Sequence, residues 1–144
     1  WRDKIQFLIV LGNNRKALET MAADPAFNHE NIRLFGFTRE VDKLMEVSDL
    51  LITKPGGITC TEALAKGLPM LFPEVIPGHE EGNAQYFTSN GFGERLHSVE
   101  ALDYWLGRLV TNYSEVLERR RMLVNMLQRT NPEDCSEAIL QMVN

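Results

Sequence analysis

The chain has 144 residues, of which 44 % are hydrophobic and 24 % charged, and its formal charge at pH 7 is −5. This balance is typical of a globular protein, and no apolar run approaches the roughly 20 residues that span a bilayer. The negative charge argues against a nucleic-acid partner, because phosphate neutralisation needs clustered Lys and Arg. The one basic run, Arg119, Arg120 and Arg121, lies near Glu115 and Glu118, which favours a solvated helix face over a binding patch.

Two features bear on the cellular setting. Cys60 and Cys135 match no metal-ligand or redox spacing, so we expect reduced thiols in a cytoplasmic protein. The chain starts at Trp1 without a Met or a signal-peptide pattern and enters a strand almost at once. We therefore expect a segment of a longer protein.

The first half of the chain alternates predicted strands with predicted helices. Apolar runs of strand length occupy residues 5–11, 31–37, 50–53 and 69–72. Helices are predicted between them: from a turn at residues 12–14 to about Met21, after a Thr38 cap, and over about residues 60–66 before Gly67.

The second half is mainly helical. An irregular stretch at residues 73–78 precedes a predicted helix over about residues 80–90 and a short strand over about residues 92–96. The remaining helices are predicted to begin at polar caps, namely Ser98, Ser114 and Asn131 with Pro132 after it.

Strands that alternate with helices at this spacing form right-handed βαβ units. The pattern predicts an α/β fold with a doubly wound parallel sheet, helices on both of its faces and extra helices at the C-terminal end. We see no second core, so residues 1–144 are expected to form one domain.

A glycine-rich loop follows the third predicted strand, where open parallel sheets bind ligands. Gly56 and Gly57 permit close approach of the backbone to a ligand, and the start of the next helix offers free N–H groups. With the helix dipole and the Thr59 hydroxyl, this loop suits a diphosphate held without a metal ion. Alternatively, Thr59 and Glu62 form a capping box that only satisfies backbone donors. The spacing matches neither a Walker loop nor a dinucleotide fingerprint.

Residues 77–84 concentrate polar groups after the fourth strand. His79 and Glu80 offer the hydrogen-bond donors and acceptors that sugar hydroxyls need. Alternatively, the acidic residues only favour the start of a helix. A second His at zinc-site spacing is missing, so no metal site is expected.

These segments together resemble the donor domain of the diacylglycerol glycosyltransferases. The resemblance lies in Thr-Lys-Pro-Gly-Gly-Ile-Thr (residues 53–59), Glu-Ala (62–63), Lys-Gly-Leu-Pro (66–69) and Pro-Gly-His-Glu-Glu-Gly-Asn-Ala (77–84), and it extends to about residue 96. The family includes monogalactosyldiacylglycerol synthases and bacterial processive diacylglycerol glucosyltransferases. It is similar to the N-acetylglucosaminyltransferase that forms lipid II.

The resemblance implies a GT-B fold, in which two Rossmann-like domains face each other and this chain is the C-terminal one, which binds a UDP-sugar. It assigns the following residues by position: Gly56, Gly57, Ile58 and Thr59 to the diphosphate; Glu62 to the ribose; Gly36 and Phe37 to the uracil; His79, Glu80 and Asn83 to the sugar; and, with weaker support, Gly12 and Asn13 to the same cleft. Phe37 has a second interpretation, as an ordinary core residue.

The implied reaction is transfer of a hexose from UDP to a lipid acceptor such as diacylglycerol. No metal ion or cofactor is implied for donor binding. The resemblance places the catalytic base and the acceptor surface in an N-terminal domain outside this chain, so the chain alone is expected to be inactive. The full-length protein is expected to be cytoplasmic and peripheral to the membrane.

His79 stands where the family usually has Gln, so the donor sugar stays open among glucose, galactose and N-acetylglucosamine. His29 and His97 lie outside the predicted cleft loops and are expected at the surface. Two other functions fit the pattern: a non-catalytic donor-binding subunit of a split glycosyltransferase, which would show an exposed apolar face, and a UDP-sugar epimerase domain. The epimerase explains the segment at residues 77–84 poorly.

Overall fold

The computed structural model describes residues 1–128. Within this range strands and helices alternate as β1 (Phe7–Val10), α1 (Arg15–Ala23), β2 (Ile32–Phe35), α2 (Val41–Glu46), β3 (Leu51–Ile52), α3 (Gly57–Ala65), β4 (Met70–Phe72), α4 (Glu81–Ser89), β5 (Gly93–Arg95), α5 (Val99–Thr111) and α6 (Tyr113–Gln128). A 3-10 turn at Pro25–Phe27 precedes β2. Cys135 and the helix predicted to begin at Asn131 lie outside the described residues.

The strands are all parallel and form two open sheets. In the first sheet β1 pairs with β2, with Phe7 opposite Ile32. The second sheet has the order β3-β4-β5, with Leu51 opposite Met70 and Met70 opposite Gly93. Parallel α/β structure is as predicted.

The sequence predicts one sheet, whereas residues 1–128 contain no hydrogen-bonded pairing between β1 and β3. A cleft of about 960 Å³ lies between these strands, and residues of both line it. Val41, Leu44 and Met45 of α2 line the same cleft, and Met45 also packs into the core of the second sheet. Both β1 and β3 are therefore edge strands.

The core forms around β4, whose three residues are all buried. Met70 and Phe72 pack on one face of the second sheet with side chains from α3, α4 and α6. Leu71 points to the other face, where it packs with Leu96 and with Trp105 of α5. Alternate residues of a strand face opposite sides, so β4 builds a core on each face. The second sheet is covered by helices on both sides, as predicted.

Two of the three consecutive arginines anchor α6 to the rest of the chain. The Arg119 guanidinium lies 4.6 Å from the centre of the Trp105 ring, and Arg120 donates a 2.8 Å hydrogen bond to the Ser48 carbonyl. The prediction of a solvated face is therefore wrong for Arg119 and Arg120, because both contact residues outside α6. The prediction holds for Arg121, which is exposed. No helix of residues 1–128 is long and apolar enough to cross a bilayer.

Candidate functional site

The loops that follow β3, β4 and β5 meet at one edge of the second sheet, because parallel strands share a carboxyl end. α3 begins here at Gly57, three residues before the predicted start, with Gly56 in an extended conformation as its N-cap. The first backbone hydrogen bond of the helix joins the Cys60 N–H to the Gly56 carbonyl at 2.9 Å. The N–H groups of the first helical turn therefore have no intrahelical acceptor.

The capping-box alternative is wrong for this helix. Because α3 begins at Gly57, Thr59 lies inside the first turn and cannot serve as the N-cap. No described side chain makes a cap hydrogen bond at this terminus, and Glu62 is exposed. The terminus thus keeps its backbone donors and its positive dipole end for another partner.

Asn83, in the first turn of α4, lies against the start of α3. A Cβ atom built on Gly57 would be 3.7 Å from the Asn83 amide nitrogen. An amide side chain of α4 therefore lies beside the free N–H groups at the start of α3. Free N–H groups at a helix N-terminus can bind an anion such as a phosphate.

The segment after β4 forms a closed loop. The Ile76 N–H donates to Glu80 Oε2 at 3.0 Å, and the Glu80 N–H donates to the Ile76 carbonyl at 3.1 Å. His79 lies in this loop and is exposed. Glu81 begins α4 and binds Arg95 of β5 at 2.7 Å, so the acidic-terminus alternative describes Glu81 better than Glu80.

Lys54 and Glu74 connect the two loops at the mouth of this region. Their charged atoms are 3.8 Å apart, with Lys54 in the loop before α3 and Glu74 in the loop after β4. Lys54 lies within the motif at residues 53–59, but no role was predicted for it from the sequence. Its cation lies in the loop that leads into the α3 terminus, where Glu74 offsets its charge.

A third group of predicted residues lies at the carboxyl end of the first sheet. Gly12 follows β1 with a φ of 55°, and a Cβ on Gly36 would be 3.9 Å from the Gly12 carbonyl oxygen. Asn13 is exposed beside them. The Phe37 side chain is 67 % exposed, so its interpretation as a core residue is wrong.

Of the candidate residues, Thr59 in α3 lines the cleft between the two sheets. Val10 at the end of β1 and Thr53 after β3 line it as well. The structure thus brings Gly12 and Gly36 together on one sheet, and Gly57 and Asn83 together on the other. Each pair lies at the carboxyl edge of its sheet.

Three other titratable side chains, those of His29, His97 and Cys60, differ in their surroundings. His29 accepts a hydrogen bond from the Asn31 N–H and lies 3.2 Å from Asp3, at the amino end of β2 and away from the candidate residues. His97 is exposed, as expected, but it follows β5 and so belongs to the same sheet edge as the candidate loops. Burial raises the pKa of the Cys60 thiol to about 11, and the Glu80 carboxylate adds to the shift.

Across the part of the chain that the structure describes, no three His, Cys, Asp or Glu side chains come together as a metal site. The donors at the α3 terminus are backbone N–H groups and an amide, and such groups bind anions.

Comparison with known proteins gives the family. The Glycosyltransferase family 28 C-terminal domain matches residues 1–139. A processive diacylglycerol beta-glucosyltransferase of Bacillus subtilis (strain 168) is 38 % identical over 139 residues, which are 96 % of this chain and 35 % of the relative. One of Staphylococcus carnosus (strain TM300) is 38 % identical over 95 residues, 66 % of this chain and 24 % of the relative. The chain thus spans about a third or less of these relatives.

The crystal structure of the glycotransferase of kitacinnamycin matches with a TM-score of 0.57 and 16 % identity, over 88 % of this chain and 40 % of that one. This likeness supports the fold alone, and the fold is that of a GT-B glycosyltransferase. The resemblance to diacylglycerol glycosyltransferases that the motifs predict is confirmed. The chain belongs to the glycosyltransferase family 28 C-terminal domains.

Proposed function

We propose that the chain is the donor-binding domain of a hexosyltransferase that moves a sugar from a UDP-hexose to a lipid acceptor such as diacylglycerol. The observation that carries the proposal is the uncapped start of α3 at Gly57 with the Asn83 amide beside it. The relatives named as processive diacylglycerol beta-glucosyltransferases supply the reaction class.

The N–H groups of Gly57, Ile58 and Thr59 hold the diphosphate in this proposal, with Gly56 allowing its close approach. When the bond between the sugar and the diphosphate breaks, negative charge grows on UDP as the leaving group. Fixed N–H donors and the positive end of a helix stabilise that charge without having to reorganise. No metal ion is required for this role.

The nucleoside extends from the second sheet to the first. Glu62 accepts hydrogen bonds from the ribose hydroxyls, and the uracil lies at Gly36 against the exposed ring of Phe37. Gly12 and Asn13 border the same place. In this proposal the ligand extends along the carboxyl edges of both sheets.

His79, Glu80 and Asn83 face the hexose. Imidazole and amide groups both donate and accept hydrogen bonds, so His79 and Asn83 can match several hydroxyls at once. His79 in place of the family's usual Gln changes this set at one position. His79 is thus the residue through which the donor sugar is chosen.

The catalytic base and the acceptor surface belong to the part of the protein that lies outside this chain. Transfer then requires the N-terminal domain, and the chain alone is inactive. In this proposal the full-length protein is cytoplasmic, and it is peripheral to the membrane because its acceptor is a lipid.

A second candidate is a donor-binding subunit that acts with a separate acceptor-binding chain. Ile58 and Phe37 are 79 % and 67 % exposed, and both stand at the carboxyl edge. Covering of Ile58 by a separate acceptor-binding chain would fit this candidate, whereas Phe37 is the proposed uracil contact in both. An epimerase is less favoured because the relatives are named as glucosyltransferases. Formation of an epimerised UDP-sugar with no acceptor present would reverse that preference.

The Glu62→Ala substitution tests the nucleotide site. Loss of a charged acceptor for the ribose hydroxyls is expected to raise the Kd for UDP by about tenfold or more. The free energy of unfolding should change by less than about 0.5 kcal/mol, because Glu62 is exposed and caps nothing. Calorimetric titration and urea unfolding measure the two effects.

Glu118→Ala is the matched control, since Glu118 is an exposed glutamate on α6, far along the chain from the candidate loops. It should leave both quantities unchanged. A Glu62→Ala protein that loses stability but keeps its affinity for UDP would remove Glu62 from the site.

A further inference from the structure

Residues 76–80 form a loop that is closed by two reciprocal hydrogen bonds. The Glu80 carboxylate accepts from the Ile76 N–H at 3.0 Å through Oε2. The Glu80 N–H donates to the Ile76 carbonyl at 3.1 Å. The side chain and the backbone of Glu80 thus both hold Ile76, and the three residues between them are confined.

The confined residues are Pro77, Gly78 and His79. Proline fixes its own φ, and Gly78 has a φ of 88°, where L-residues are rarely found. A Cβ on Gly78 would meet nothing within 4 Å, so the backbone conformation requires the glycine, not a lack of space. Once the loop is closed, little freedom is left in the backbone that carries His79.

Both ends of this loop are attached to the second sheet. After Glu80, the Glu81 carboxylate binds Arg95 of β5 at 2.7 Å and 3.4 Å, which fixes the start of α4. Before Ile76, Val75 packs against the main core. The Glu80 carboxylate also lies close enough to the thiol of Cys60 in α3 to raise its pKa.

We propose that Glu80 is a positioning residue: by closing the loop at residues 76–80 it sets where His79 meets the donor hexose. This inference rests on the proposed function. It goes beyond that function because it explains how Glu80 affects the choice of hexose. Glu80 acts through the conformation that it imposes on His79, and not through a contact of its own with the sugar.

The proposal separates Glu80→Gln from Glu80→Ala. The Gln amide oxygen can still accept from the Ile76 N–H, so the loop stays closed, whereas Ala leaves that N–H without a partner. In the protein without ligand, hydrogen exchange of the Ile76 amide should accelerate about tenfold or more in Glu80→Ala and stay near wild type in Glu80→Gln. Unchanged exchange in Glu80→Ala would overturn the loop-closing role.

A double-mutant cycle with His79→Ala tests the route through His79. The readout is the ratio of the Kd values for UDP-glucose and UDP-galactose, with the Kd for UDP as a reference. We expect His79→Ala and Glu80→Ala each to reduce the discrimination by about fivefold. The double variant should lose no more than His79→Ala alone, and Glu80→Gln should restore the wild-type ratio.

The possible outcomes are distinct. Additive losses in the double variant would mean that Glu80 contacts the sugar itself, and the proposal would be wrong. A wild-type chain that binds UDP but does not distinguish the two hexoses would also overturn it, while the proposed donor site would stand. A folded wild-type chain that binds no UDP would overturn both.

Discussion

The Gly57→Asp substitution is expected to weaken UDP binding by at least about 30-fold while leaving the fold intact. Gly57 is the first residue of α3, and a side chain there meets only the Asn83 amide at an ordinary contact distance. Two unit charges 4 Å apart interact by about 4 kcal/mol at an effective dielectric constant of 20, and even half of this, about 2 kcal/mol, gives roughly 30-fold. Calorimetric titration with UDP measures the loss.

The same carboxylate should stabilise the free protein slightly. A negative charge in the first turn of a helix contributes about 0.3–1 kcal/mol. Affinity and stability are thus expected to change in opposite directions, which a general structural defect would not produce. Gly57→Asn is the control of equal size without the charge, and it should lose much less affinity. Equal affinities of the Asp and Asn variants for UDP would place the diphosphate elsewhere.

The Gly93→Ala substitution is expected to destabilise the protein by about 2–3 kcal/mol through overpacking. A Cβ on Gly93 would lie 2.7 Å and 2.9 Å from two ring carbons of Phe72, and 3.2 Å from the Met70 carbonyl oxygen. Phe72 is 1 % exposed and its ring packs edge-on against Phe87. Neither the ring nor the β4 backbone can move without disturbing the core, and urea unfolding should show the loss.

Gly82→Ala provides the comparison for this effect. Gly82 lies in α4, and nothing stands within 4 Å of a Cβ built on it. Ala is the better helix former, so this variant should be as stable as wild type or up to about 1 kcal/mol more stable. If Gly93→Ala unfolded at the same urea concentration as wild type, the pairing of β4 with β5 beneath Phe72 would be incorrect.

The order of strands and helices was predictable because each one carries its own local signal. The apolar run that contains β4 and the Ser98 cap of α5 are where the sequence pattern places them. The predicted start of α3 was three residues too late, because Thr59 and Glu62 have capping-box spacing. The observed N-cap is Gly56. A residue that caps without a side chain gives a weak local signal.

Features that depend on distant partners were not predictable in this way. A run of arginines in a helix predicts a solvated face. In the structure, however, Arg119 lies on the Trp105 ring and Arg120 binds the Ser48 carbonyl. The apolar run of β1 is typical of a strand with neighbours on both sides, but β1 is an edge strand. Pairing between strands is set by tertiary packing, and the pattern of one strand does not encode it.

In the candidate site, too, features with a local sequence signal were predictable and features that depend on particular contacts were not. The glycines and the polar loop were visible as patterns, and the structure places Gly57 beside Asn83. The hydrogen bonds between Ile76 and Glu80 were not visible, because a glutamate beside a helix start has several equally ordinary roles. Lys54 was also missed as a charge near the site, although it lies inside the motif.

Calorimetric titration of the chain with UDP and with ADP, each with and without magnesium, tests the donor-site proposal most directly. A site built from the first turn of α3, with the uracil at Gly36 and Phe37, should bind UDP equally well with or without magnesium and should not bind ADP. Binding of UDP only when magnesium is present, equal binding of ADP, or no binding by a chain shown to be folded would contradict it.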